Sequence, residues 1–100
     1  MTQYTDAKFT VTVKGLDLTT IDTPYLTFSQ GYNTEIDLTD IQVLSANSFV
    51  VRLTQAQTGL FKVGEAKMQL NFFVDGFRDA TAEKTVQVTE NLLKRVLQHG

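Results

Sequence analysis

The sequence predicts an all-β domain, an immunoglobulin-like antiparallel β-sandwich of about seven strands. Apolar and polar residues alternate with a period of two along much of the chain, which is typical of strands with one buried face. Turn residues recur at intervals of roughly 8–12 residues. The 100 residues, 42% of them hydrophobic, suit one domain over residues 1–100. Cysteine and tryptophan are absent, so the hallmarks of antibody domains are missing and only the architecture is predicted.

Several strands are predicted in the first half of the chain. In the first of them Phe9, Val11 and Val13 share one face, and threonine and lysine alternate with them. Turn-forming residues at 31–33 and 46–48 predict two hairpins. The predicted strands cover residues 8–14, 25–30, 35–38, 41–43 and 49–53.

A single helical turn is predicted directly after these strands. Thr54 and Gln57 have the spacing of a capping box, in which the two side chains bond reciprocally to backbone amides at the start of a helix. The turn is expected to end near Gly59. Leu60 and Phe61 are then expected to return to the core.

The clearest strand is predicted over residues 65–74. Alternation puts apolar side chains on its inner face and leaves Phe73 as the apolar exception on its polar face. Asp75 and Gly76 favour a two-residue hairpin, because both tolerate positive φ, and the chain is expected to return antiparallel over residues 77–89. The residues expected to face inward are Ala66, Met68, Leu70, Phe72, Val74, Val86 and Val88.

The C-terminal segment predicts a short helix, with a final strand as the alternative. Apolar residues follow Thr89 at the helical spacing i, i+1, i+4 and i+5, and threonine is a suitable N-cap. These apolar residues are Leu92, Leu93, Val96 and Leu97. They are expected either to cover the chain's own sandwich or to dock onto a second subunit.

Residue chemistry argues against an enzyme and against a bound cofactor. The only histidine is His99, beside the C-terminus, and without cysteine there is no thiolate nucleophile and no cysteine zinc site. Glu35, Asp37 and Asp40 form the densest acidic group, but their spacing matches no calcium loop. Alternation places Glu35 and Asp37 on a solvated strand face, so no metal is predicted. No glycine-rich loop opens a helix, which argues against nucleotide binding.

Nucleic acid and membrane are not predicted as partners. The net charge is −2 and the basic residues are scattered, so the sequence provides no basic stripe for phosphate groups. No apolar run approaches the roughly 20 residues of a membrane span. Residues 1–6 lack the pattern of a secretion signal.

A protein partner is predicted instead, through exposed apolar side chains or through an edge strand. Phe73 would be exposed unless another element covers it, and edge strands present unpaired backbone groups that a neighbouring chain can extend. The candidate interface consists of Phe73, Phe77, Leu92, Leu93, Val96 and Leu97. A carbohydrate-binding module is the alternative if exposed aromatic side chains form one patch. That patch would draw on Tyr25, Tyr32, Phe73 and Phe77.

Three segments after Pro24 combine extended stretches with the capped turn. They are residues 26–31 (LTFSQG), 51–58 (VRLTQAQT) and 64–70 (GEAKMQL). In this order they resemble a family of small phage and prophage β-sandwich proteins of Gram-positive hosts, associated with the tail or baseplate region of the virion. The resemblance implies a structural component present in several copies, without catalytic residues. The C-terminal segment departs from the family, which commonly ends in a short strand-like tail.

The residues and the resemblance together predict a non-enzymatic structural protein of a phage or prophage. It is expected in the virion, or in the host cytoplasm during assembly. Its expected partners are copies of itself in a homo-oligomer or neighbouring virion proteins. Besides the carbohydrate-binding module, a small regulatory or inhibitory protein of a mobile element is an alternative.

Overall fold

The computed structural model describes residues 1–31 and 34–99 of the chain. Most of this part of the chain is extended, and it contains one short helical turn. In chain order the elements are β1 (Ala7–Thr12), β2 (Asp22–Ser29), β3 (Glu35–Leu38), β4 (Gln42–Ser45), β5 (Ser48–Leu53), α1 (Gln55–Thr58), β6 (Gly64–Val74), β7 (Phe77–Ala80) and β8 (Lys84–Val88). The prediction of an all-β fold is confirmed.

The strands form two antiparallel sheets. The first has three strands in the order β1-β5-β4. The second has five strands: β3, β2, β6 and β7 lie side by side in that order, and β8 also pairs with β6. The central strand β6 therefore has β2 along one edge and both β7 and β8 along the other.

Side chains from both sheets meet in one core. Phe28 of β2 is fully buried, and its ring contacts those of Phe9 and Phe61 edge to face, with centroids 6.4 and 6.2 Å apart. Since Phe9 belongs to β1, this contact joins the two sheets. The buried core consists of Val11, Val13, Leu18, Leu26, Phe28, Ile36, Phe49, Val51, Leu53, Phe61, Ala66, Met68, Leu70, Phe72 and Val88. The inward faces predicted for the first and the longest strand are confirmed.

The return of the chain after the long strand is divided into two strands, which raises the number in the described residues from about seven to eight. Thr81 lies between them. Its amide donates to the carbonyl of Leu70 over 2.9 Å, and its hydroxyl accepts from the amide of Leu70 over 3.1 Å. A side-chain oxygen thus takes the place of one backbone acceptor, and the chain bends out before pairing with β6 again.

The strand order differs from that of constant-type immunoglobulin domains. In those domains the second strand shares a sheet with the first, fourth and fifth strands. Here β2 pairs with β3 and β6 instead, with Leu26 opposite both Leu38 and Leu70. The chain shares the two-layer antiparallel architecture that was predicted, with a different distribution of strands between the layers.

The capping box at α1 is confirmed in both halves. The Thr54 hydroxyl accepts from the Gln57 amide over 3.3 Å, and Gln57 Oε1 accepts from the Thr54 amide over 2.8 Å. The turn ends at Gly59, as predicted. The prediction for Leu60 is wrong, because Leu60 is exposed while Phe61 is buried. Consecutive residues leaving the turn point to opposite sides, and only Phe61 reaches the core.

Two of the predicted hairpin turns fall in the described residues, and the third lies partly outside them. Asp75 and Gly76 have φ of 51° and 81°, the positive values that a two-residue hairpin turn requires. β4 and β5 are antiparallel across Ala46–Asn47, as expected. The pairing of β2 with β3 is confirmed, whereas Tyr32 and Asn33 of the predicted turn lie outside the described residues.

The predicted C-terminal helix is absent, and residues 91–99 form neither helix nor strand. The Glu90 and Lys94 side chains form an ion pair of 2.9 Å with helical spacing, but the amides bond elsewhere. The Leu93 amide donates to Asn91 Oδ1, and the Leu97 amide donates to Gln55 Oε1. A helix shorter than about 12–15 residues is marginal in water without an apolar surface to pack against.

Candidate interaction site

The two phenylalanines of the predicted interface lie on opposite faces of one hairpin. Phe73 pairs with Arg78 and Phe77 pairs with Val74, so alternation sends the two aromatic rings to opposite sides. Phe73 is on the outer face of the five-stranded sheet and 36% exposed, whereas Phe77 is 79% exposed beside the turn. The structure therefore does not join them into one patch.

The apolar residues of the C-terminal segment lie at the other end of the molecule from Phe73. Gln55 of α1 holds the segment, donating from Nε2 to the Leu97 carbonyl over 3.1 Å and accepting from the Leu97 amide over 2.8 Å. α1 comes shortly before the start of β6 in the chain, whereas Phe73 lies near the end of β6. From its first residue to Phe73 this strand spans roughly 30 Å. All four apolar residues of the segment are exposed: Leu92, Leu93, Val96 and Leu97.

A groove that the sequence did not predict runs between β1 and β8. β1 is an edge strand of the first sheet and β8 is an edge strand of the second. The cavity between them measures about 570 Å³. It is lined by Met1, Thr2, Met68, Lys84, Thr85, Val86 and residues 5–12. We call this groove the seam.

Backbone groups of β1 point into the seam. The amide of Val13 donates to the Asn47 carbonyl over 2.7 Å, toward the β5 side. Since successive backbone groups of a strand alternate in direction, those of Lys8, Thr10 and Thr12 face away from β5. The Thr12 carbonyl accepts from Lys84 Nζ across the seam over 2.5 Å. In the described part of the chain no strand pairs with this edge of β1.

The N-terminal residues cover one end of the seam on the β8 side. The amino group of Met1 donates to the Gln87 carbonyl over 2.8 Å, and the Thr89 amide donates back to the Met1 carbonyl over 2.8 Å. This is a parallel bridge, and the Gln3 amide continues it to Thr89 over 3.0 Å. By the same alternation the backbone of Thr85 faces the part of the seam that Met1 leaves open.

A network of hydrogen bonds fixes the N-terminal residues in front of β1. The Thr58 hydroxyl accepts from the Thr5 amide over 3.0 Å and donates to the Thr5 carbonyl over 2.8 Å. Gln3 Nε2 donates to the Phe61 carbonyl over 2.6 Å. The ring of Tyr4 packs directly on Gly59, where any Cβ would overlap it. The start of β1 is thus held in place by contacts within the chain.

Two carboxylates in the described residues have pKa values lowered by their neighbours. Hydrogen bonds from Thr19 lower the pKa of Asp17, and the hydrogen bond and charge of Lys94 lower the pKa of Glu90. Both carboxylates are exposed, and neither lines the seam. Residues 1–31 and 34–99 contain no group of three or more histidine, cysteine, aspartate or glutamate side chains that could hold a metal ion.

Sequence reasoning missed the seam residues because edge and central strands share the same alternation. The sequence pattern places Lys8, Thr10 and Thr12 on a solvent-facing side, as in any half-buried strand. The available signal was lysine at positions 8 and 84, since lysine is common on exposed strand edges.

Comparisons with protein-family models, with curated proteins and with solved structures give no match to this chain. Among the described residues, no helix is long and apolar enough to cross a membrane.

Proposed function

We propose that this chain is a non-enzymatic assembly protein that joins a second copy of itself by pairing β1 with β1. The observation that supports this function is the outward backbone of β1, which lies open along the seam beside a structured apolar floor. Adding a strand to a sheet edge gives affinity through main-chain hydrogen bonds and needs no signature residues. Such a function fits a chain whose residues suggest no catalytic site.

The side chains around the seam suit an added strand. Met68 is buried and Val86 half-buried, so the floor offers apolar contact to the inward side chains of a guest strand.

A two-fold β1 pair centred on Thr10 avoids repulsion between like charges. In that antiparallel register Lys8 of one copy faces Thr12 of the other, so the two Lys8 ammonium groups are not directly opposed. Two-fold interfaces are the commonest in homo-oligomers because one patch serves both subunits. The pair would extend the three-stranded sheet to six strands across the dimer.

Lys84 sets a condition on the partner. Its ammonium group already bonds the Thr12 carbonyl, so a guest strand must displace it. Lysine on a strand edge discourages unselective strand pairing, because its ammonium group must remain in contact with water or with a hydrogen-bond acceptor. We expect the bound neighbour to supply that acceptor, as a backbone carbonyl or a carboxylate.

The C-terminal segment contributes apolar area at one end of the same interface. The Leu97 amide donates to the Gln55 side chain, and Gln55 lies two residues after Leu53. Leu53 pairs across the sheet with Ala7, at the start of β1. The exposed leucines therefore lie at the end of the molecule where β1 begins. This adds surface to the proposed contact without determining its register.

The placement of this assembly protein in a phage or prophage particle rests on the sequence resemblance alone. In that setting the neighbours would be copies of the chain or other tail or baseplate proteins, in the virion or in the host cytoplasm during assembly. A regulatory protein of a mobile element would use the same seam on a single host target. Within this proposal, the protein resembles immunoglobulin domains in its two-layer architecture but not in its strand order.

The test is Thr10→Pro, studied by light scattering over a range of protein concentrations. Proline removes the outward amide that a guest strand would bind and leaves the bonds toward β5 intact. We expect the unchanged chain to reach dimer mass with rising concentration and the proline variant to stay monomeric. Truncation after Thr89 should weaken the dimer without abolishing it.

Thr10→Val is the matched control, because it keeps the amide and favours the strand. It should dimerise like the unchanged chain, and urea unfolding should show that the proline variant is folded. A monomer at every concentration for the unchanged chain would contradict self-assembly through β1. Dimers of the folded proline variant would contradict it equally.

A further inference from the structure

The outer face of the five-stranded sheet carries a depression where aromatic and planar polar side chains meet. It encloses about 380 Å³ and lies away from the seam, on β2, β3, β6 and β7. The outward side chains that matter here are Tyr25, Phe73, Asn71, Arg78, Asp37 and Glu35. This face has no role in the proposed assembly.

Tyr25 and Phe73 present two aromatic surfaces on neighbouring strands. Tyr25 pairs with Asn71, and Phe73 lies two residues beyond Asn71 on β6, so Tyr25 and Phe73 are diagonal neighbours within reach of each other's side chains. Tyr25 is 44% exposed and Phe73 is 36% exposed. Partly exposed rings at this separation offer two adjacent apolar platforms within a polar rim.

The polar groups around the rings are already oriented by their neighbours. Arg78 donates to Asn71 Oδ1 from Nε over 3.3 Å and from Nη2 over 3.1 Å, which leaves the amide nitrogen of Asn71 free to donate elsewhere. The Thr27 hydroxyl donates to Asp37 Oδ1 over 2.8 Å. The side chains of Asn71 and Asp37 therefore need little reorganisation before they meet a ligand.

The backbone at the rim of the depression is irregular. The pairing of β2 with β6 shifts register between Asp22 and Tyr25, as at a β-bulge. Thr23 within it has a φ of +49°, which is costly for a β-branched residue. Bulges aim side chains and are frequent beside binding sites, and this bulge precedes the Tyr25 ring directly.

From this arrangement we infer that the outer face binds a neutral saccharide, with pyranose rings stacked on Tyr25 and Phe73. The C–H face of a sugar ring suits an aromatic surface, and its hydroxyls suit the acceptor Asp37 and the donor Asn71. The cores of protein interfaces are depleted of aspartate and glutamate, which argues against a protein occupant. The two carboxylates also repel phosphate, which argues against nucleic acid.

The test is isothermal titration of the full chain with maltohexaose, cellohexaose and chitohexaose, each added to millimolar concentration. We expect binding of at least one of them. Tyr25→Ser and Phe73→Ser should each weaken that binding by about tenfold or more, since each removes one stacking platform. Both side chains are on the surface, so urea unfolding should show both variants folded.

Phe77→Ser is the matched control. It removes a more exposed ring from the opposite face of the same hairpin and should leave saccharide binding unchanged. Absence of binding for all three sugars would overturn the inference. So would equal losses in the Phe73 and Phe77 variants, or a loss of dimer mass in the Tyr25 and Phe73 variants, which would make the face a protein contact. The saccharide-binding results do not depend on the outcome for Thr10→Pro.

Discussion

Strands β1 and β6 have the same alternating sequence pattern but opposite positions in their sheets. β6 is paired along both edges, by β2 on one side and by β7 and β8 on the other. β1 is paired by β5 along one edge, and its other edge faces the seam. Both strands bury their apolar side chains, so they contribute to one core. Of these two strands, only β1 has an edge with which no strand of the described residues pairs.

In the proposed assembly, this difference separates the residues that stabilise the fold from those that bind the second copy. Phe28 and Leu70, on β2 and β6, are among the largest fully buried side chains, and the backbone of β6 is paired along both edges. The outward amides of β1 belong to the same folded unit but remain available. Changes near β6 should therefore act on unfolding, and changes at the outer edge of β1 should act on association.

The largest expected effect is that of Phe28→Ala. Phe28 is fully buried between Phe9 and Phe61, so its removal should lower the free energy of unfolding by about 3–5 kcal/mol. Phe77→Ala should change it by less than about 0.5 kcal/mol, because that ring is mostly in solvent. Urea unfolding followed by circular dichroism measures both. Similar losses in the two variants would contradict the placement of the core.

A smaller effect is expected for Thr58→Val, which acts where the fold holds the start of β1. Valine keeps the shape but leaves the Thr5 amide and carbonyl without their partner, at a cost of about 1–3 kcal/mol. The loss should appear in urea unfolding. Thr10→Val, an exposed threonine on the seam, serves as the comparison and should cost almost nothing. Equal stability of the two variants would show that the Thr58 hydroxyl does not hold this segment.

Local sequence signals predicted the parts of the fold that local chemistry determines. Thr54 and Gln57 identified the capped turn, Asp75 and Gly76 identified a hairpin, and alternation identified the inner face of the longest strand. In each case the residues that carry the signal also make the contact. The carbohydrate alternative named Tyr25, Tyr32, Phe73 and Phe77, of which Tyr25 and Phe73 share the outer face. Phe77 lies on the opposite face, and Tyr32 lies outside the described residues.

The parts that failed depend on contacts between distant segments. The apolar spacing from Leu92 to Leu97 predicted a helix, but the Gln55 side chain forms hydrogen bonds with the backbone amide and carbonyl of Leu97. In addition, no surface in the described residues covers the leucines. The seam was not predicted, because the sequence of β1 does not indicate which of its two edges pairs with β5. Phe73 and Phe77 were grouped by proximity in sequence, although strand pairing sends them to opposite faces.

Hydrogen exchange of the Thr10 amide at low and high protein concentration is the sharpest test of β1 pairing, because it observes the backbone group that the assembly is proposed to use. The Val11 amide, which faces β5 by the same alternation, is the internal reference. We expect fast exchange at Thr10 in dilute protein and strong protection in the dimer, with Val11 protected throughout. A dimer in which Thr10 still exchanges freely would contradict the proposed pairing of β1 with β1.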